Sequence, residues 1–422
     1  MNSEFWARVI KDYFEKELPH TIKREYVIPL ENPINRSITL TGGRRTGKTF
    51  EIYNIIKKIL KNNKKEQTLY INFERSDILP TIEDLNTIKK IYFEIVPENK
   101  KTWFFLDEIQ NVKNWENFVR QCLDENINIF LTGSSSKLLS KEIATSMRGR
   151  NLTYSIYPFS FKEYLNAKEI QTKKYYSTKE INKIKKALQE YLLYGGYPET
   201  IIYPEQKEKL LIEILNTTIY KDVAEREKIR NIKALKLTMN ALINSTEFST
   251  HKYYNFLKTQ GIKLSKNTIY NYIEYLKDAN IIYTNHKNEH SYKKAEQSIP
   301  KIYLIDNGIL TINNIEDKGR LLENMIFIEL KRRNHKISYY KTQTEEIDFV
   351  IQKGKKITEL IQSSISIEQL NTKEREIKAL IKASKELKCN KLTIINLNQE
   401  ETIKEQGKTI KVKPAWKWLL EE

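Results

Sequence analysis

The chain has 422 residues, with 72 Lys and Arg against 54 Asp and Glu for a formal charge of +18, and two cysteines. That length predicts two to four domains with real cores. Two cysteines exclude a disulfide framework, the five histidines show no metal-ligand spacing, and no apolar run spans a membrane. The start lacks the order of a secretory leader, so a soluble, cytoplasmic protein is expected; the charge suggests a nucleic-acid partner, although a Lys-, Ile- and Asn-rich composition produces the same sign.

The first thirty residues read as a helix with Phe5, Trp6, Val9, Ile10 and Phe14 on one face, leading in through Pro29. Ser37 to Thr41 alternates as a short strand. Residues 42–49 then read Gly42, Gly43, Arg44, Arg45, Thr46, Gly47, Lys48 and Thr49, matching the pattern GxxxxGK[ST] at every fixed position. Phe50 to Leu60 follows with a helical period. Strand, loop and helix in that order make a phosphate loop, in which the glycines aim backbone N–H groups at phosphate. Lys48 would reach the β- and γ-phosphates and Thr49 would bind Mg²⁺, so ATP with Mg²⁺ is the expected cofactor pair.

Thr68 to Phe73 reads as the next strand. Trp103 to Leu106 is an apolar run ending in Asp107 and Glu108, a buried parallel strand with carboxylates at its C-terminal edge. Asp107 is expected in the Mg²⁺ shell, and Glu108 is expected to activate the attacking water. Ile127 to Thr132 and Leu152 to Tyr157 complete five strands of a mostly parallel α/β sheet. Ser134, after the fourth strand, suits a γ-phosphate sensor and equally a helix N-cap. Arg148 and Arg150 suit an arginine finger acting in cis or from a neighbouring subunit, or a basic surface turn.

Residues 160–230 read as helices. Residues 231–285 read as three helices and the start of a β-wing: Ile232 to Ile243, a second helix after Ser249 that stops at Gly261, and a third from Ser265. That third helix buries Ile269, Ile273 and Leu276 and exposes Lys266, Asn267, Tyr270 and Asn271, types suited to phosphate and base-edge contacts. Lys287 to Lys294 is expected to form a basic wing. Such modules also serve as structural or protein-binding units.

From Lys301 the α/β pattern returns. A helix spans Arg320 to Leu330, Lys336 to Tyr340 is a strand, and Glu346–Ile351 pairs with Lys356–Gln362 across Gly354. The arrangement resembles the PD-(D/E)XK nuclease core, with Asp348 as its Asp and Glu323 as its helical Glu. Gln362 and Ser364 stand where a carboxylate and a Lys belong, which implies an inactive scaffold.

The series GGRRTGKT, YINFE, WFFLDEIQNVKNWENFVR, FLTGSSSKLLSKEIATSMRGR, YPFSFKEYL and YGGYPE resembles a family of archaeal and bacterial P-loop ATPases of the AAA+/STAND group. The resemblance implies strand order 5-1-4-3-2 and four domains. These are a P-loop ATPase domain at 1–160, a helical lid at 161–230, a winged helix at 231–294 and a degenerate restriction-endonuclease-like α/β domain at 295–422. It also implies that Pro198, in the lid turn, lies beside the nucleotide base. The expected function is ATP hydrolysis coupled to DNA, with homo-oligomerisation possible in principle. The alternatives are a protein-binding switch with slow hydrolysis and an ATP-dependent nuclease.

Overall fold

In a computed structural model, residues 3–31, 34–74, 80–96, 101–133, 147–289 and 291–421 are described. The chain divides into two units, Met1–Tyr157 with Asp278–Asn280, and Pro158–Lys277 with Ile281–Glu422.

The first unit is built on five parallel strands, β1 (Ser37–Thr41), β2 (Thr68–Asn72), β3 (Trp103–Asp107), β4 (Asn128–Gly133) and β5 (Asn151–Ser155). Their order is β2-β3-β4-β1-β5, which read from the other edge is the expected 5-1-4-3-2. Because strand side chains alternate between faces, β3 divides its apolar run: Phe104 and Leu106 enter one core, Trp103 and Phe105 the other. The first core is covered by the helices Ser3–Glu15, Ile82–Ile95 and Trp115–Asp124, the second by Lys48–Ile59. Trp6 and Ile10 are buried, with Phe5, Val9 and Phe14 packed around them, and the Trp6 indole donates to Asp84 at 2.9 Å. A sheet buried on both faces tolerates few polar side chains in its middle. Polar groups therefore gather at its C-terminal edge, where the loops leave.

The second unit begins with the helices Phe161–Ala167, Thr178–Tyr194, Pro198–Ile202 and Lys207–Thr217, the last running into a π-helical stretch, Thr218–Glu225. Three more helices follow, Ile232–Ile243, Thr250–Thr259 and Lys266–Asp278. The first two start at Asn231 and Ser249, whose side chains accept backbone N–H groups of the opening turn. Strand β6 (Ile282–Asn285) pairs antiparallel with β7 (Lys301–Leu304). The expected basic wing is corrected here. Lys293 and Lys294 lie on a short helix, Tyr292–Gln297, whose Lys-Lys-Ala-Glu-Gln content favours helix. The strand that completes the hairpin comes from beyond residue 294, because Ile282 and Tyr283 of β6 need apolar partners and Leu304 and Tyr303 supply them.

After the helices Asn307–Thr311 and Lys318–Arg332 come β8 (Lys336–Lys341), β9 (Glu346–Lys353), β10 (Lys356–Ser363), β11 (Leu392–Asn396), β12 (Glu401–Glu405) and β13 (Lys408–Pro414). They form one mixed sheet in the order β12-β13-β11-β10-β9-β8. The helix Leu370–Glu386 packs on it.

Segments distant in sequence are joined within this unit. Asn307 Nδ2 donates to Leu192 O at 2.7 Å, and Asp306 Oδ2 accepts Gly196 N–H at 2.7 Å. A Cβ on Gly195 would stand 1.7 Å from the Asp306 carboxylate, and the Gly195 φ of +70° is itself left-handed. Glycine at 195 is therefore required by both backbone and neighbour.

Candidate nucleotide site

The phosphate loop leaves β1 at Thr41 and enters the helix Lys48–Ile59. Gly47 bridges the two with φ 96°, so the first helical N–H groups face the loop interior. Thr46 is buried, and its hydroxyl donates to Gly43 O at 2.9 Å. Lys48 is folded onto its own loop: Nζ donates to Gly42 O and Gly43 O, each at 3.1 Å, and lies 3.7 Å from Glu108 Oε1. Arg45 has φ 61°, and Arg44 makes two hydrogen bonds of 3.0 Å to Glu74.

Asp107 is completely buried at the end of β3, and its neighbours explain how it remains there. Oδ2 accepts from the Thr49 hydroxyl at 2.9 Å, the Tyr70 hydroxyl at 2.8 Å and Asn72 Nδ2 at 3.4 Å; Oδ1 accepts from the Thr132 hydroxyl. Burial, and then the charge of Glu108, pushes the Asp107 carboxyl above its ordinary range, while the donors from Thr132, Tyr70 and Thr49 oppose the rise. A cation beside Asp107 would reverse that balance, since the largest local charge sets the direction.

Glu108 has left-handed backbone angles, φ 54° and ψ 44°, which cost a non-glycine residue energy and aim its side chain out of the strand line. Its N–H donates to Thr132 Oγ1 at 2.9 Å, and Gln110 Nε2 donates to its Oε2 at 2.5 Å. Thr132 thus ties both acids to β4.

The structure brings the loop from Gly42 to Thr49 together with Asp107 and Glu108. For a divalent ion, the Thr49 hydroxyl and the Asp107 carboxylate form an oxygen pair already in contact, which suits an ion that keeps several waters and takes the rest of its shell from phosphate. Among the described residues no three acidic, His or Cys side chains hold a metal by themselves.

Ser134 lies outside the described residues. Arg150 immediately precedes β5, and its carbonyl accepts Ser37 N–H at 3.1 Å. That is the N-terminal edge of the sheet, four strand residues or about 13 Å from the end of β1 that opens into the phosphate loop. The Arg150 guanidinium is engaged by Asp124. The in-cis half of the arginine-finger expectation is therefore corrected for Arg150, because parallel strands put its turn and the loop at opposite edges. Arg148 is exposed in the same turn with φ 51°. Pro198 opens a short helix of the second unit.

In the second unit Lys266, Asn267, Tyr270 and Asn271 share the exposed face of the helix Lys266–Asp278, opposite Ile269, Tyr272, Ile273 and Leu276. Lys266 Nζ lies 2.9 Å from His251 Nδ1. Asp348 and Glu323 converge, but on an ammonium, Lys301 Nζ, at 3.0 Å each. Gln362 accepts Asp348 N–H at 3.2 Å, and the Ser364 hydroxyl donates to Ser366 O at 3.0 Å.

Sequence reasoning missed Thr132, Tyr70, Asn72, Gln110 and Arg24. The period-2 positions of Tyr70 and Asn72 on β2 and the placement of Thr132 just before Ser134 were usable signals. Arg24 had none: it is buried, donating to Thr46 O at 3.1 Å and to Tyr157 O at 2.7 Å from an irregular segment.

A model described as an AAA domain matches residues 34–165, and two models described as domains of unknown function, DUF8612 and DUF4143, match 185–318 and 318–418. The boundary at 318 leaves β7 with the middle segment, as its pairing with β6 does. Among solved structures, the chain is similar to the Walker-type ATPase PABY2304 of Pyrococcus abyssi, at 14% identity and TM-score 0.42, covering 74% of this chain and 96% of that one. It also matches Cdc6p of Pyrobaculum aerophilum, at 14% identity and TM-score 0.28, covering 71% and 90%. An uncharacterized protein of Haemophilus influenzae is 30% identical over 75% of this chain and 80% of its own length. The uncharacterized protein MJ1544 of Methanocaldococcus jannaschii is 43% identical over 92% of this chain and 88% of its own. With that likeness running almost end to end, and with a five-stranded P-loop ATPase sheet at its front, the chain belongs to the family of MJ1544.

Proposed function

We propose that this chain binds ATP with Mg²⁺, hydrolyses it, and couples the cycle to DNA through its second unit, whose C-terminal sheet is a non-cleaving, nuclease-like scaffold. The observation that carries the ATPase reading is the meeting of Lys48, Thr49, Asp107 and Glu108 at one sheet edge, with Glu108 aimed by a strained backbone and held by Gln110.

Phosphoryl transfer asks a protein for positioning and charge compensation. Lys48, now donating to its own loop carbonyls, is exchanged onto the β- and γ-phosphates. The N–H groups at the start of the helix Lys48–Ile59 bind the phosphate oxygens. Thr49 and Asp107 would hold the Mg²⁺, which offsets charge on those oxygens. Glu108 orients a water and takes up its proton, and Thr132 keeps the two acids from drifting apart. Arg148 or Arg150 serves a neighbouring copy's γ-phosphate.

The DNA reading is supported by the four exposed polar residues of the helix Lys266–Asp278 and by the charge of +18. The protein-binding alternative is favoured by exposed Ile202 and Ile212 on neighbouring helices and exposed Tyr203 in the turn between them. ATPase rates with and without duplex, branched and single-stranded DNA separate them. Stimulation by DNA is expected; unchanged rates and no DNA binding at low salt would leave the protein-switch reading.

A further inference from the structure

Lys301 is 4% exposed, yet its ammonium meets three carboxylates, Glu323 Oε1 at 3.0 Å, Asp348 Oδ1 at 3.0 Å and Glu346 Oε1 at 2.6 Å. The lysine comes from β7, Glu323 from the helix Lys318–Arg332, and Glu346 and Asp348 from β9. The cluster is finished on its outer side. The Tyr303 hydroxyl donates to Glu323 Oε1 at 2.6 Å, Ser363 N–H and hydroxyl donate to Asp348 Oδ2 at 2.9 and 2.8 Å, and Lys341 lies 3.0 Å from Glu346 Oε2.

Carboxylate oxygens are what a hard divalent cation takes, but as the chain stands no three acidic side chains among the described residues are placed to hold one, and these three meet an ammonium instead. Left alone they would repel one another, and Glu323 and Asp348 have little hydration to compensate. An ammonium has three N–H donors, here one for each carboxylate. The spacing around Nζ is that of N–H···O bonds, wider than the roughly 2.0–2.1 Å of Mg²⁺ coordination.

We propose that Lys301 is this cluster's built-in cation: its ammonium stands where Glu323, Glu346 and Asp348 would otherwise hold a divalent ion, excludes that ion, and ties the β6–β7 hairpin to the six-stranded sheet. The C-terminal sheet is then metal-free by construction, and the hairpin that follows the helix Lys266–Asp278 moves with it. This deepens the reading of that sheet as a non-cleaving scaffold and does not rest on the nucleotide site.

The test is thermal unfolding of the full, nucleotide-free chain with Mn²⁺ and with EDTA, comparing wild type with Lys301→Ala and Lys301→Met. Wild type is expected to melt at one temperature in both, apart from any shift that Asp107→Asn abolishes. Both variants are expected to melt lower, and millimolar Mn²⁺ is expected to raise them by a few degrees, since an ion that binds only the folded state stabilises it. Met keeps the packing of the lysine stem, so agreement between the two variants separates charge from volume. If a variant fails to fold without metal, recovery of folded protein in Mn²⁺ is the same readout. A wild-type Mn²⁺ shift that Asp348→Asn removes would overturn the proposal, as would variants that gain nothing from Mn²⁺. Mn²⁺-dependent DNA cleavage by wild type would overturn the scaffold reading as well, whereas absence of DNA binding alone would leave Lys301's role standing.

Discussion

Thr49 donates its hydroxyl hydrogen bond to Asp107 at 2.9 Å, joining the last residue of the phosphate loop to the last residue of β3 across 58 positions of sequence. The contact fixes the distance between the phosphate-loop motif and the acidic end of β3, and on the proposed function that is the preorganisation phosphoryl transfer needs.

Lys48→Ala is expected to abolish ATP binding. Glu108→Gln is expected to keep nucleotide affinity near wild type and to lower turnover by about 10²–10⁴, the usual worth of a positioned acid–base group. Equilibrium nucleotide titration with single-turnover hydrolysis separates the two effects. Near-normal turnover in Glu108→Gln would remove Glu108 from the mechanism.

If Arg148 or Arg150 serves a neighbouring copy, changing that arginine to Ala should lower hydrolysis by about 10³–10⁵. Mixing the more impaired arginine variant with Lys48→Ala should then restore activity, because one mixed interface carries both intact parts. Full activity of a chain shown by light scattering to be monomeric during turnover rules the trans role out.

Lys266→Ala is expected to weaken DNA binding about equally across unrelated sequences and to flatten the log–log salt slope by roughly one unit, the effect of one lost phosphate contact. Fluorescence titrations at several salt concentrations measure it. An unchanged slope places the DNA contacts elsewhere.

Asp306 yields a pH prediction for the second unit. Burial pushes its carboxyl up to about 7, against the lowering effect of the Gly196 and Gly308 N–H groups. Since the native state holds this proton more tightly than the unfolded chain does, stability is greatest below the unfolded carboxylate pKa and is lost as pH rises through about 7. The loss is on the order of 4 kcal/mol. Asp306→Asn mimics the protonated form and should flatten that dependence in denaturant titrations between acid and neutral pH. An Asp306→Asn profile parallel to wild type would assign the pH dependence to other groups.

Arg24→Ala is expected to raise KM for ATP about tenfold while changing kcat little, because the guanidinium braces the Thr46 carbonyl behind the phosphate loop and touches no reacting atom. Arg24→Lys should recover part of the loss. A fall in kcat at unchanged KM would contradict a positioning role.

Much of this molecule was legible in the sequence because its signals are contiguous. The loop from Gly42 to Thr49 needs eight successive residues of particular kinds, and the strand Trp103–Asp107 announces itself by an apolar run closed by acids. The helices at 232, 250 and 266 are marked by caps and by their buried periods. The strand order came from the family resemblance carried by those same contiguous motifs, and the sheet has that order. Tertiary structure decided which separate side chains meet. Thr132 and Tyr70 reach Asp107 only because β4 and β2 flank β3, and Arg24 reaches the loop from a segment with no periodicity. Arg150 lost its in-cis role because parallel register puts its turn at the far edge. Lys301 met Glu323, Glu346 and Asp348 because β7 pairs back onto β6 beside the C-terminal sheet. Local backbone preference is written residue by residue along the chain, whereas a convergence of charges depends on crossovers tens of residues long, whose endpoints carry no mark of one another.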